Sequence, residues 1–380
     1  MSIRERMKDL KTCRDEIDAI DQKLIALFEE RMHICEDVIK YKMAHHMEIF
    51  QSGRETEVIE KNLKRVQDKK LAPYVRNFVL QNMNLSKRYQ TTFLPGEIID
   101  LKPAKEENLI VGYQGVPGSF SYEAMESYFG DRVAFKVNYP HFEDVFKALK
   151  AHEIDYGILP LENSTTGAIN DNYDFINDYG FYIVGELSLS VSQNLLGIPG
   201  STIDDIQTVY SHSQGLLQTS QFLAKHHIAK EPYPNTAMAA SYVSHLNNKH
   251  IGAIASKKAA ELYGLDVLAS DIHNDKSNHT RFIVIGHNLE SSKQASRIST
   301  VFTLRHEVGA LYEVLQIIKD HQINMVRIES RPIQSSPWEY YFYLDFDGSL
   351  HDPNVVRTID ELRACTYTFR LIGNYERKIA

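Results

Sequence analysis

The sequence predicts a multidomain chain in three parts: an all-helical segment, then an α/β segment, then an α+β segment of ferredoxin-like order. Three observations carry this reading. An apolar repeat at steps of three and four begins at Leu10, short apolar runs alternate with helical patterns from Leu109, and the order βαββαβ follows from Ser299. At 380 residues the chain also exceeds what one hydrophobic core usually organises.

In the first part, Leu10, Cys13, Ile17, Ile20, Leu24, Leu27, Arg31, Ile34, Val38 and Tyr41 define one long helix with a buried seam. A second helix is expected from about Glu55 to Lys69, after the break at Ser52-Gly53. A third starts near Pro73, a residue tolerated in a helix's first turn, and runs to about Gln90. The stretch Thr91 to Asn108, with Pro95, Gly96 and Pro103, reads as a linker. The expected divisions are 1–91, a linker at 92–107, 108–288 and 297–380.

The middle part places strands at Leu109–Tyr113, Val133–Val137, Tyr156–Leu159, Phe181–Val184, Thr208–Tyr210, Ile251–Ala255 and Phe282–Ile285. The last part reads as strands at Ser299–Leu304, Asn324–Glu329, Tyr340–Phe346 and Tyr367–Ile372, with helices at Ala310–Asp320 and Pro353–Leu362.

Composition excludes several classes. A formal net charge of -8 argues against a nucleic-acid partner, because phosphate binding needs a basic face. No stretch approaches the roughly 20 apolar residues needed to span a bilayer, and Met1 to Lys11 is charged rather than signal-like, so a cytoplasmic protein is expected. Cys13, Cys35 and Cys365 lie far apart and read as small packing residues. No His/Cys/acid cluster has metal-type spacing, so neither metal nor cofactor is expected. The charge is uneven: residues 1–90 hold 18 Lys plus Arg against 15 Asp plus Glu, a mildly basic segment suited to a small anion.

Arg31 occupies a seam position where an unpaired guanidinium would be costly to bury, so either an anion or a glutamate from a neighbouring helix must meet it. Lys42 projects from nearly the same face about 16 Å further on. Arg14 lies about 25 Å back along the helix and roughly 100° around it, too far to serve the same small ligand. If Arg14 is catalytic, it serves a site completed by a second chain, which predicts an intertwined dimer. Ser86 and Gln90 share a face of the third helix, and Arg54 and Glu55 open the second.

These residues, in their order and spacing, resemble the all-helical chorismate mutases, through Arg14-Asp15-Glu16-Ile17-Asp18, Glu30-Arg31, Lys40-Tyr41-Lys42, Arg54-Glu55 and Ser86 with Gln90. The resemblance covers about residues 8–91. It implies that Arg31 and the partner subunit's Arg14 hold the substrate carboxylates, and that Lys42 and Gln90 face the ether oxygen. Arg54, Glu55 and Ser86 would fix the ring hydroxyl and nearby carboxylate. Gln51 stands where that family usually has Asp, a departure affecting one contact to the ring hydroxyl. A Claisen rearrangement needs no nucleophile or metal. Cations and amide donors that hold the reactive conformer and stabilise the departing oxygen are what it requires.

In the middle part each strand leads into a loop of hydroxyls, amides or glycines. Tyr113-Gln114-Gly115-Val116-Pro117-Gly118-Ser119-Phe120-Ser121 is a strand-to-helix turn whose free amides favour anions, but which alone reads first as a structural turn or helix cap. Pro160-Leu161-Glu162-Asn163-Ser164, then Ser211-His212-Ser213-Gln214 with Gln218, and Asn278-His279-Thr280-Arg281-Phe282 complete the set. Together these stretches resemble the prephenate dehydratases over about residues 108–287. That implies two α/β lobes, related to type II periplasmic binding proteins, with the active site in the cleft. The resemblance assigns the leaving ring hydroxyl to Thr280. Ser119, Glu162, Asn163, Ser164, Ser211, Gln214, Gln218, Arg281 and Phe282 are the expected substrate-binding set. For Arg281, a substrate carboxylate and a salt bridge within the lobe are both open.

Residues 297–376 resemble an ACT domain through Gly309-Ala310-Leu311 and Glu329-Ser330-Arg331-Pro332, motifs that in dehydratases of this type form a phenylalanine site at a dimer interface. Val308 replaces the proline usual before Gly309. The combined expectation is conversion of chorismate to prephenate and on to phenylpyruvate, feedback-inhibited by L-phenylalanine, in a homodimer or a tetramer. A dehydratase preferring arogenate, or a non-catalytic amino-acid sensor, are the alternatives.

Overall fold

The computed structural model describes residues 8–45, 47, 54–94, 99–275, 278–334 and 336–380. The chain forms two compact units, Met1–Ile98 with Ile359–Ala364, and Ile99–Thr358 with Cys365–Ala380. Among the described residues no helix is long and apolar enough to cross a membrane.

The first unit holds α1 (Leu10–Ala44), α2 (Arg54–Leu63) and α3 (Ala72–Thr91). Asp9 caps α1 by accepting from the amides of Lys11 and Thr12, and Pro73 sits in the first turn of α3 as its sequence implies. The second helix stops at Leu63, short of the expected Lys69, and a turn carries the chain to α3. The expected buried seam is not buried within one chain. Ile39 is fully buried, but Leu10, Ile17, Ile20, Leu24, Leu27, Ile34, Val38 and Tyr41 are all at least 40% exposed. The reason is length: a 35-residue helix extends about 52 Å, and helices of 10 and 20 residues cannot cover it.

The second unit begins with β1 (Leu109–Gln114), α4 (Phe120–Phe129), β2 (Val133–Tyr139), α5 (Phe142–Lys150), β3 (Tyr156–Asn163), β4 (Gly167–Ala168), α6 (Asn170–Tyr179) and β5 (Tyr182–Ser190). A second lobe follows: β6 (Asn194–Gly197), β7 (Thr208–Ser211), α7 (Ser213–Gln218), α8 (Ser220–Lys225), β8 (Ala229–Pro232), α9 (Thr236–Leu246), β9 (Ile251–Ala255), α10 (Lys257–Tyr263) and β10 (Asp266–Ala269). Its sheet runs β10-β6-β9-β7-β8. The chain then returns to the first lobe as β11 (His279–Gly286), inserted antiparallel between β3 and β5.

The remaining elements are β12 (Arg297–Thr303), α11 (Ala310–Asp320), β13 (Met325–Pro332), β14 (Tyr340–Asp347), α12 (Pro353–Cys365), β15 (Thr368–Tyr375) and β16 (Arg377–Ile379). They give the expected βαββαβ order plus a short last strand. This part is not separate from the first lobe. The order β13-β14-β12-β15-β5-β11-β3-β1-β2 is one sheet, joined where Gly373 pairs with Ile183, and β16 also pairs with β5. One apolar core spans the junction, with Val301, Tyr343 and Ile372 packed among Phe146, Leu159 and Ile283.

Candidate active sites

In the helical unit, Arg31 reaches from α1 to α3, where its guanidinium donates to the Ser86 hydroxyl and, at 3.1 Å, to the Asn82 carbonyl. Ser86 in turn donates to the Asn82 carbonyl at 2.6 Å, and Ser86 and Gln90 are both buried on the same face of α3. Arg31 therefore meets hydroxyl and carbonyl oxygens that carry no formal charge, so its positive charge stays available to an anion. Lys42 is partly buried, and loss of solvent pulls its ammonium pKa below the usual value. Arg14 is exposed on α1, far from this group along the helix. Gln51 and the side chains of Arg54 and Glu55 lie outside the described residues; the backbone of the latter two opens α2 as expected.

In the sheet unit, the register of β3 and β11 sets Thr280 directly opposite Asn163, with a bulge at Arg281/Phe282. The Asn163 amide donates to Thr280 Oγ1 at 2.9 Å and to Asn278 Oδ1 at 2.7 Å. Its carbonyl oxygen accepts from the amides of Thr165 and Thr166 at 3.0 and 3.1 Å. Asn163 is thus saturated by protein partners, one of them the Thr280 hydroxyl. Because Thr280 Oγ1 accepts from Asn163, its own proton points elsewhere, and no acceptor for it stands among the described residues.

The other expected substrate contacts divide. Glu162 pairs with Arg327 at 3.0 Å, and the exposed Ser164 accepts from the His279 amide at 3.0 Å. Gln218, partly buried on α7, accepts from Gln193 at 3.3 Å, and Gln214 lies on the same short helix. Ser119 caps α4 by accepting from the Tyr122 amide, and Ser211, fully buried, donates to the Ile254 carbonyl at 2.6 Å. Both hydroxyls therefore serve the fold locally. Phe282 is buried in the core beneath α4 rather than lining a cleft.

Arg281 departs most from the substrate-binding expectation. Its guanidinium donates to Glu186 at 2.9 Å, to Asp345 at 2.8 Å and to the Tyr375 hydroxyl at 3.0 Å. Burial alone would lower its pKa, but Asp345, Tyr375 and Glu186 together raise it well above normal. Burial likewise pushes the Asp345 carboxyl up, yet the Arg281 charge and hydrogen bond, the Ser299 hydroxyl and Arg327 together outweigh it and keep the carboxyl below its usual range. Of the two readings open from sequence, the salt bridge is the one present, and it ties β11 to β14 and β15.

In the last segment, Gly309 caps α11 at φ 90°, a left-handed conformation that favours glycine, with open space around it. Ala310 and Leu311 begin that helix. On β13, Arg331 donates to Asp174 on α6 at 2.7 and 3.2 Å, and Glu329 accepts from Arg327 at 3.4 Å. Ser330 and Pro332 are exposed beside them. Sequence reasoning gave no role to Asn278, Gln193 or Arg327. Only Asn278 carried a signal, as the first residue of the Thr280 motif.

A helical cation site and a two-lobed sheet unit that ends in a ferredoxin-like segment together define a multidomain enzyme of small carboxylated substrates. Family models agree on all three parts in order: chorismate mutase type II over residues 13–91, prephenate dehydratase over 111–290 and ACT domain over 298–364. The bifunctional chorismate mutase/prephenate dehydratase of Escherichia coli K12 is 30% identical, covering 96% of each chain. An Arabidopsis thaliana arogenate dehydratase/prephenate dehydratase is 34% identical over 70% of this chain and 72% of its own. Among solved structures, prephenate dehydratase in complex with L-Phe from Arthrobacter aurescens aligns with a TM-score of 0.64 at 26% identity, covering 71% of this chain and 90% of that one. The chain belongs to the bifunctional chorismate mutase/prephenate dehydratase family, and it is an enzyme with both activities.

Proposed function

We propose that the helical unit rearranges chorismate with Arg31, Lys42 and Gln90 of one protomer and the partner subunit's Arg14, and that the sheet unit converts prephenate to phenylpyruvate around Thr280. The observation that carries the dehydratase assignment is the Asn163–Thr280 bond. It leaves the threonine proton without an acceptor among the described residues, available to the ring hydroxyl as CO2 departs and the ring becomes aromatic. A threonine hydroxyl is a weak acid. Glu162 is engaged by Arg327, so the replacement proton comes from water or from His279.

A second copy of the chain is the natural occupant of the exposed α1 seam, because an apolar stripe of this length is unstable in water. Homodimerisation would also bring in Arg14. L-Phenylalanine is the proposed effector of the Gly309 and Glu329–Pro332 motifs, acting by binding one conformation better than another. The three cysteines are free, which suits a cytoplasmic setting.

The test is a chorismate time course on the purified full chain, following prephenate and phenylpyruvate with and without L-phenylalanine. Both products should appear in sequence, and phenylalanine should slow the second. A chain that binds chorismate and releases neither product is a sensor instead. Faster turnover of arogenate than of prephenate would move the second site's substrate to the amine.

A further inference from the structure

Resting on the reading that Thr280 is the acid, the geometry points to Asn278 as the positioning residue that aims the Thr280 hydroxyl, acting through the Asn163 amide. Asn278 is 2% exposed, and its Oδ1 accepts from Asn163 Nδ2 at 2.7 Å and from Thr165 Oγ1 at 3.0 Å. Asn163 Nδ2 has two protons. One goes to Asn278 and the other to Thr280 Oγ1 at 2.9 Å. The competing acceptor is the His279 carbonyl, 3.3 Å from the same nitrogen. With Asn278 in place, the amide plane is fixed and its second proton is committed to Thr280. Without it, the amide is free to turn toward His279, and Thr280 loses the donor that sets its own proton outward.

The residue's other end separates this role from simple packing. Asn278 Nδ2 is buried with no hydrogen-bond partner among the described residues, although buried polar groups are nearly always paired. A side chain kept only for stability would not hold an idle donor in the interior, where an apolar one serves better. What Asn278 contributes is the acceptor oxygen, and that oxygen reaches the reacting hydroxyl through one intermediate side chain.

The experiment compares Asn278→Ala, Asn278→Asp and Thr280→Ala in the full chain, measuring kcat and KM on prephenate, melting temperature, and mutase rate. Asn278→Ala is expected to lower dehydratase kcat roughly 30-fold with KM within about threefold, an orientation effect. Melting temperature and mutase rate should stay near wild type. Asn278→Asp keeps an acceptor oxygen and should recover most of the lost kcat. The assignment is overturned if Asn278→Ala turns over normally, if its loss lies in KM or follows a fall in melting temperature, or if Asp is no better than Ala. Thr280→Ala separates the two claims. If it stays active, the reading of Thr280 fails; if it is inactive while Asn278→Ala is normal, only the role of Asn278 fails.

Discussion

In the helical unit Arg31 is half-buried against neutral oxygens of α3, and most of the helix that carries it faces water. In the sheet unit Thr280 is buried between two strands, and the side chains that orient it come from the same chain. The first group sits on a helix whose apolar stripe is exposed, and the second is enclosed by strands of its own chain. The difference follows from secondary structure. A lone long helix cannot cover its own apolar stripe, whereas a central strand is flanked on both sides by hydrogen-bonded neighbours. Mutase activity should therefore depend on assembly in a way that the orientation of Thr280 does not.

The largest effect that would break this contrast is expected at Thr280. Thr280→Ala should lower dehydratase turnover about 10³-fold while mutase rate is unchanged, and Thr280→Ser should stay within about tenfold of wild type. An active alanine variant removes the hydroxyl from the mechanism. Next, Arg31→Ala should cost about 10²- to 10³-fold in mutase kcat/KM and leave phenylpyruvate formation from added prephenate intact. A loss of both activities would show that the sites are not independent.

Arg281→Gln tests how the sheet site is held. It strands Glu186 and Asp345 in the interior and should destabilise the sheet unit by about 3 kcal/mol in chemical denaturation. Prephenate KM should change little at temperatures where the variant is folded; a large rise in KM would restore the substrate-carboxylate role.

The smallest effect concerns Glu290, which follows β11. Burial raises its carboxyl to about 7, partly offset by the hydrogen bond from Tyr156. A raised carboxyl means that the folded state holds a proton the unfolded state has released. Stability should therefore fall as pH climbs from about 4.5 through about 7, by roughly 2 kcal/mol after allowing for partial exposure. Glu290→Gln should flatten that slope, seen as a smaller difference in melting temperature between pH 5 and pH 8. An unchanged slope would assign it to another group.

Much of this architecture was legible in the residues. The Leu10 periodicity marked α1, Ala310–Asp320 and Ile251–Ala255 match their elements end to end, and Thr280 was singled out by its motif. What escaped were elements without an apolar signature. The edge strand Ala229–Pro232 is exposed along its length, and Asn194–Gly197 and Asp266–Ala269 are too short for a period to register. Sharing of one sheet by the dehydratase lobe and the last segment also escaped, because a pairing as local as Gly373 with Ile183 leaves no sequence pattern. At the site, residue types were readable but partners were not. Nothing in the order of residues tells that Arg281 faces Asp345 across 64 positions, or that Asn163 is saturated by its neighbours.

The dependence of the helical site on a second copy is tested most directly by mixing two inactive variants. Arg14→Ala and Arg31→Ala should each lack mutase activity. In an equimolar mixture that exchanges subunits, half the dimers carry one intact site, so about a quarter of the wild-type mutase rate should return, with dehydratase rate unchanged throughout. A mixture that stays as inactive as its components would contradict a site built from two chains.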